Sequence, residues 1–334
     1  MGENQESGAE RDLGAFLAAA GFSLRERRDL AGDVSPRRYA RLVSVTGTTA
    51  ILATYPAAAG DACSRFLRTT AILERAGVPV PRVVGADCES GFMLVADVGA
   101  RTLADLAAHA WDDLEPYFVT ALEHAERIAL LPAAEVEAIN PPLDGPLLRR
   151  ELAQTWDLYL EPRGLTGDAT LTAELAECLD RLCAALAAEP PVVCHRDYMA
   201  RNLVPLSAPG ERPALLSVLD HQDLRLGPPA YDLASLLNDT LFPPPDVHER
   251  LLARELPAAA DRLSYHRAAA QRTLKAVGTY VSFARRGSDR HLGLVGPTLG
   301  RGLDHLARLP ESADLAPRLA AVWSAVLPPA PAAA

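Results

Sequence analysis

The sequence predicts an α+β fold, with a small β-rich N-terminal lobe over residues 1–97 and a larger, mostly helical C-terminal lobe over residues 98–334. Three observations predict it. Tyr39, Arg41, Val43 and Val45 alternate with Ala40, Leu42 and Ser44 ahead of Thr46-Gly47, the period-two pattern of a β-hairpin. After Gly99 the chain turns Ala/Leu-rich with helical periodicity. Between Val192 and Asp239 short apolar runs return, and two of them lead into carboxylates: VVC into His195-Arg196-Asp197, and LLSVL into Asp220.

Taken in order, residues 1 to about 10 read as a polar tail. Leu13 to Gly21 reads as a short helix closed by glycine. The hairpin strand ending at Val45 is followed by its partner, AILATYP. A helix runs from Asp61, a candidate N-cap, to Gly77, with Phe66, Thr70 and Leu73 on one face. VPVPRVVGADCE and GFMLVADVG supply two more strands, and the lobe boundary falls at Ala96–Gly99. Helical patterns cover 102–131, 145–161 and 168–188, with INPPLDGP as a loop. From Tyr231 the chain is helical again, broken at LFPPPDV and at the Gly-rich run 293–302, and it ends in the low-complexity LPPAPAAA.

Charge and composition exclude several classes. A net charge of -10 argues against a nucleic-acid binder that works by neutralising phosphates. Of the 33 basic residues only Lys275 is a lysine. Five cysteines (Cys63, Cys88, Cys178, Cys183 and Cys194) form no CxxC pair, which favours reduced thiols over a disulfide framework or a zinc site. The start, MGENQESGAERD, is neither a secretory signal nor a transit peptide, and no apolar run approaches the roughly 20 residues of a membrane span. The expectation is a cytoplasmic protein without a membrane or nucleic-acid partner; oligomeric state is left open.

The chemistry concentrates in one spacing. His-x-Asp-x4-Asn (His195, Asp197, Asn202) followed by a distal Asp220 is the arrangement of protein-kinase-like phosphotransferases. Asp197 is expected to orient or deprotonate an acceptor hydroxyl. Asn202 and Asp220, brought together by two strands and a turn, are expected to hold Mg²⁺ through hard oxygens. His195 and Asp232 read as structural braces of the loop. Gly32 to Tyr39 lies where a phosphate-covering loop would sit; it is neither GxGxxG nor a Walker sequence, yet backbone at Ser35 with Arg37 and Arg38 is expected at the phosphates. Adenine is expected against backbone at Ala96 and Val98. Ala53-Thr54 stands where a protein kinase carries its phosphate-binding strand lysine. Acceptor contacts are expected from Glu151 and Tyr159 on one helix and from Asp223. No GxSxG supports a hydrolase.

These blocks resemble the aminoglycoside phosphotransferase (choline kinase-like) superfamily. The likeness is greatest to its branch of anomeric N-acetylmuramate/N-acetylglucosamine kinases of cell-wall sugar recycling. It rests on LAGDVSPRRYARL, GFMLVADVG, HRDYMARN, LDHQD, GPPAYDLASLLND and QRTLKAVG, between about residues 30 and 305. It implies a protein-kinase-like two-lobed fold, ATP as donor, Mg²⁺, and an amino sugar as acceptor. That branch also lacks the strand lysine. The chain departs at Met199, where His is common, and at His221, where Phe is common, and mutual compensation between the two is the expectation. The rivals are an aminoglycoside or other small-molecule O-phosphotransferase, and a catalytically silent nucleotide-binding regulator.

Overall fold

The computed structural model describes residues 12–30, 37–56 and 61–327. The chain divides into two compact units. Unit 1 comprises residues 1–100 together with Ser217–Asp223, and unit 2 the remainder. The division falls at Ala100, and it assigns the Asp220 segment to unit 1, although sequence places it in the second lobe.

Unit 1 opens with helix α1 (residues 12–19), closed by Gly21 at φ +67°, whose amide donates to the Ala18 carbonyl. Strands β1 (Leu24–Leu30), β2 (Arg38–Ser44), β3 (Thr49–Thr54), β4 (Val83–Asp87) and β5 (Phe92–Ala96) form one antiparallel sheet in the order β1-β2-β3-β5-β4. Strand alternation sorts the side chains. Ala40, Leu42, Ala50, Leu52, Phe92 and Leu94 pack with Phe16, Leu17 and Phe22. Ala53, Met93 and Val95, on the opposite parity, pack with Cys63, Phe66 and Leu67 of helix α2 (Ala62–Arg75). Leu42 and Leu94 are wholly buried, each worth about 1.5–3 kcal/mol. Strand β1 is one more than the sequence pattern assigns, because LRERRDL is charged at five of seven positions and shows no apolar alternation. Asp61 stands at the N-cap of α2 but makes no capping bond; its carboxylate pairs with Arg65 at 2.6 Å.

The thiol expectation is corrected for two residues. Cys63 and Cys88 are disulfide-bonded, tying α2 to the turn after β4, whereas Cys178, Cys183 and Cys194 are free and buried. A separation of 25 residues carries no signal in the sequence.

Unit 2 contains helices α3 (Trp111–Ala129), α4 (Ala133–Glu137), α5 (Gly145–Thr155) and α6 (Ala169–Ala187). Short strands follow: β6 (Val192–Cys194), β7 (Leu203–Pro205) and β9 (Arg225–Gly227), while β8 (Leu216–Val218) runs from Leu216 into the segment assigned to unit 1. Strand β6 pairs antiparallel with β9. Leu206 N donates to Leu215 O at 2.8 Å, closing the turn that follows β7. Helices α7 (Tyr231–Leu237), α8 (Pro245–Glu255), α9 (Ala259–Arg285), α10 (Val295–Leu306) and α11 (Ala316–Trp323) complete the unit. The Gly-rich run does not break the chain: α10 continues through it, and Gly302 lets the helix lie against Thr273 and Leu274. No helix among the described residues is long and apolar enough to cross a membrane.

Helix α9 is the axis of unit 2 and packs against α5, α7 and α10. Gly278 sets its distance from α5. A Cβ there would lie 2.5 Å from Thr155 Oγ1 and 2.6 Å from Thr155 N, while the same hydroxyl donates to Leu274 O at 2.5 Å and accepts from Gly278 N at 2.9 Å. Gly278→Ala is therefore expected to cost about 1–3 kcal/mol by forcing the helices apart. Thermal or urea denaturation within error of wild type would contradict it.

A neutral hydrogen-bond chain crosses α7, α8, α9 and α10. His305 Nε2 donates to Asn238 Oδ1 (2.9 Å), so its Nδ1 accepts from His266 Nδ1 (2.9 Å). Asn238 Nδ2 donates to the Tyr265 hydroxyl (2.8 Å), which donates to His248 Nε2 (2.8 Å). Burial, helped by Arg308 at all three and by Arg301 at His248 and His305, pushes His248 and His266 down to about 4 and His305 well down. Below about pH 6.5 the unfolded chain takes up protons that these rings refuse, so stability present above pH 6.5 is lost as pH falls toward 4. Glu255, raised to about 7 by burial and Glu126, opposes this between pH 4.5 and 7, one group against three. The melting temperature is expected to fall between pH 7 and pH 5; an unchanged or higher value would contradict the account.

Candidate active site

In unit 2 the catalytic-loop sequence leaves β6 as a sharp turn. Arg196 has φ 75°, a left-handed conformation that non-glycine residues avoid. Buried Asp232, at the start of α7, holds it there: Oδ2 accepts from His195 N at 2.6 Å and Oδ1 from Arg196 N at 2.8 Å. The buried His195 ring lies edge-on to Tyr198, whose hydroxyl donates to Ala121 O at 2.7 Å.

The next residue, Asp197, faces cations from α9. Its Oδ1 accepts from Arg272 Nη2 at 3.2 Å and lies 3.5 Å from Lys275 Nζ. Burial alone would raise the carboxyl, but Lys275, Arg272 and Arg196 more than offset it and hold it well below the usual carboxylate range. Glu151 of α5 belongs to the same cluster. Arg196 Nη2 donates to its Oε1, Lys275 Nζ lies 3.6 Å away, and its Oε2 is buried without a hydrogen-bond partner among the described residues. Burial opposes ionisation of Glu151 as well, and Lys275 and Arg196 again prevail. Asn202 Nδ2 donates to Asp197 O at 2.8 Å, which leaves its amide oxygen without a hydrogen bond among the described residues.

In unit 1, Asp220 also adopts a left-handed conformation, at φ 56°. Its Oδ1 accepts from Arg37 Nη2 at 3.2 Å and Gln222 Nε2 at 2.8 Å, and its side chain is 41% exposed. Oδ2 makes no hydrogen bond among the described residues. Ser35 lies outside the described residues; Arg37 is engaged with Asp220, and Arg38 is exposed at the start of β2. Arg41, further along β2, has a structural task. It clamps Asp97 in two bonds of 2.7 and 3.2 Å and reaches Gly99 O, fixing the segment after β5. In that segment Ala96 N donates to Arg82 O at 2.8 Å, whereas the backbone of Val98 makes no hydrogen bond among the described residues. Ala53, at the position of the absent lysine, is buried among Tyr55, Cys63 and Met93.

The structure thus gathers Asp197, Asn202, Glu151, His195 and Asp232 in unit 2. Asp220 and Asp223 lie in unit 1, in and beside the turn His221–Asp223. At Tyr159 the helix has ended: α5 stops at Thr155, Trp156–Leu160 form a π-turn, and the buried Tyr159 ring stacks under Arg163 at 4.8 Å. Met199 and His221 each have local partners. Met199 Sδ accepts from Arg201 Nη2 at 3.1 Å. The His221 ring nitrogens meet the hydroxyls of Thr69 and Thr70 at 3.0 and 3.3 Å, and its ring packs on Phe66. Sequence reasoning gave no role to Arg272 and Lys275. Their i, i+3 spacing on α9 and the singularity of the lysine were the available signals.

Residues 26–270 match the model of the phosphotransferase enzyme family. The chain is 32% identical over 306 residues to the N-acetylmuramate/N-acetylglucosamine kinase of Pseudomonas aeruginosa, covering 87% of this chain and 86% of that protein. It is 30% identical to the enzyme of the same name from Pseudomonas putida, covering 85% and 84%. Among solved structures, the GDP complex of aminoglycoside 2'-phosphotransferase-IIIa superposes with a TM-score of 0.64 at 13% identity, covering 89% of this chain and 98% of that one. Choline kinase LicA from Streptococcus pneumoniae gives 0.56 at 14%, covering 88% and 99%. At these identities the superpositions establish the fold: the protein-kinase-like α+β arrangement expected from the sequence.

Proposed function

This chain belongs to the phosphotransferase enzyme family, and from that premise we propose that it transfers the γ-phosphoryl group of ATP to the anomeric hydroxyl of N-acetylmuramate or N-acetylglucosamine. The observation that carries the chemistry is Asp197, a carboxylate kept ionised by α9 cations on a loop that Asp232 braces. Held ionised, Asp197 acts chiefly by accepting the hydrogen bond of the acceptor hydroxyl and aiming its lone pair at phosphorus. The orphaned Glu151 Oε2 supports a second contact, accepting from a sugar hydroxyl or amide N–H.

Asn202 and Asp220 each present a hard oxygen of the kind Mg²⁺ takes, which no hydrogen bond among the described residues occupies. When bound, the ion neutralises charge on the phosphates. Arg37, beside Asp220, adds positive charge there, and the open backbone at Val98 supports adenine binding.

The acceptor rests on the names of the relatives. Phosphorylation at the anomeric position removes the reducing end, so incubation with Mg-ATP is expected to abolish the reducing-sugar signal of both N-acetylated sugars. Phosphate incorporation with the reducing end retained would sink the anomeric reading in favour of another hydroxyl. Nucleotide binding without turnover would favour the regulator.

A further inference from the structure

Three cations, Arg196, Arg272 and Lys275, lie against two carboxylates, Glu151 and Asp197, in a largely buried cluster, with the Asp232 carboxylate on the Arg196 amide. Arg201 and Asp239, which lie nearby, balance each other. The individual bonds show which cation is least engaged. Arg196 is bonded to Glu151, and Arg272 spends Nε on Ser235 Oγ and Nη2 on Asp197. Lys275 alone is held by proximity, 3.5 Å from Asp197 and 3.6 Å from Glu151, and makes a hydrogen bond to neither. Its side chain is 11% exposed, and its ammonium, ion-paired to both carboxylates, still has N–H donors that no hydrogen bond among the described residues occupies. Those donors are available to an anionic oxygen during the reaction.

Its neighbour identifies the anion. Lys275 lies against the same Oδ1 that orients the acceptor hydroxyl, the atom to which the phosphoryl group is delivered. In phosphoryl transfer, charge spreads over the equatorial oxygens of the migrating group, and cations placed there lower the barrier. The sheet of unit 1 supplies no lysine for this purpose, because Ala53 occupies the strand position and is buried in an apolar cluster. We propose that Lys275, the only lysine of the chain, is a catalytic residue that binds an equatorial oxygen of the γ-phosphoryl group as it passes to the acceptor oxygen held by Asp197. The phosphorus–oxygen bond to the β-phosphate breaks as that to the acceptor forms; the lysine keeps its proton throughout. This inference rests on the kinase reading above and adds a group to it.

Kinetics of wild type, Lys275→Met and Lys275→Arg on both sugars test it. Lys275→Met is expected to lower kcat by about 10²–10³ equally for N-acetylmuramate and N-acetylglucosamine with KM little changed, and Lys275→Arg to regain part of the loss. A defect confined to KM for N-acetylmuramate would overturn the proposal, since the ammonium would then be an anchor for that sugar's carboxylate. Equal losses in both variants with matching drops in melting temperature would also overturn it, as a purely structural role. Wild-type inactivity on both sugars would count against the acceptor reading instead. A second measurement covers that case: one lysine gives one side-chain resonance in selectively labelled protein. It is expected to shift with the magnesium complex of the β,γ-imido analogue of ATP and not with Mg-ADP; the same response to both would overturn the proposal.

Discussion

Asp197→Asn is expected to lower kcat by about 10²–10⁴ while leaving nucleotide affinity within a few-fold of wild type. The carboxamide keeps the shape of the side chain but cannot accept the acceptor's proton and offers a weaker hydrogen bond to its hydroxyl. The same change leaves Arg272 and Lys275 facing one carboxylate less. Because the Asp197 side chain is 30% exposed, solvent softens that imbalance, and the stability cost is about 1–3 kcal/mol. Steady-state kinetics on the two sugars, with a melting curve for each protein, separate the effects. A variant with wild-type kcat would remove Asp197 from the chemistry.

The second large effect is expected at Asp232, which need not touch substrate. Its two oxygens take the backbone amides of His195 and Arg196, and the side chain is buried. Asp232→Ala strands both donors and releases the left-handed turn at Arg196, a loss of about 2–5 kcal/mol. Asp232→Asn retains one acceptor and is expected to recover part of the stability. Since Arg196 precedes Asp197 directly, kcat should fall in both variants in step with loss of the loop's order. Hydrogen exchange at the His195 and Arg196 amides checks this; protection unchanged in Asp232→Ala would contradict the bracing role.

Much of the fold was legible because its signals are local. Alternation marked β2 and β3, and glycines marked the ends of α1 and α2. The motif residues His195, Asp197 and Asn202 lie within eight positions of one another, and the apolar run before Asp220 identified its carboxylate. What escaped was non-local or lacked a pattern. Strand β1 is too charged to alternate, and the Cys63–Cys88 bond joins residues with no characteristic spacing. Asp97 has its partner 56 positions away in Arg41, and Asp197 meets Arg272 across 75 positions. Helical spacing extrapolated past Thr155 misses the π-turn Trp156–Leu160 that carries Tyr159. Arg37 was expected to serve phosphates alone, and its pairing with Asp220 depends on a segment that folds away from its sequence neighbours into unit 1.

Phosphorus NMR of the product formed from Mg-ATP and N-acetylglucosamine tests the central claim most directly. The account predicts a new monoester resonance split by the proton on the anomeric carbon, with ADP released in equal amount and both products formed about 10²–10⁴-fold more slowly by Asp197→Asn. A monoester coupled to the protons of another carbon, or ATP hydrolysis without any sugar phosphate, would contradict it.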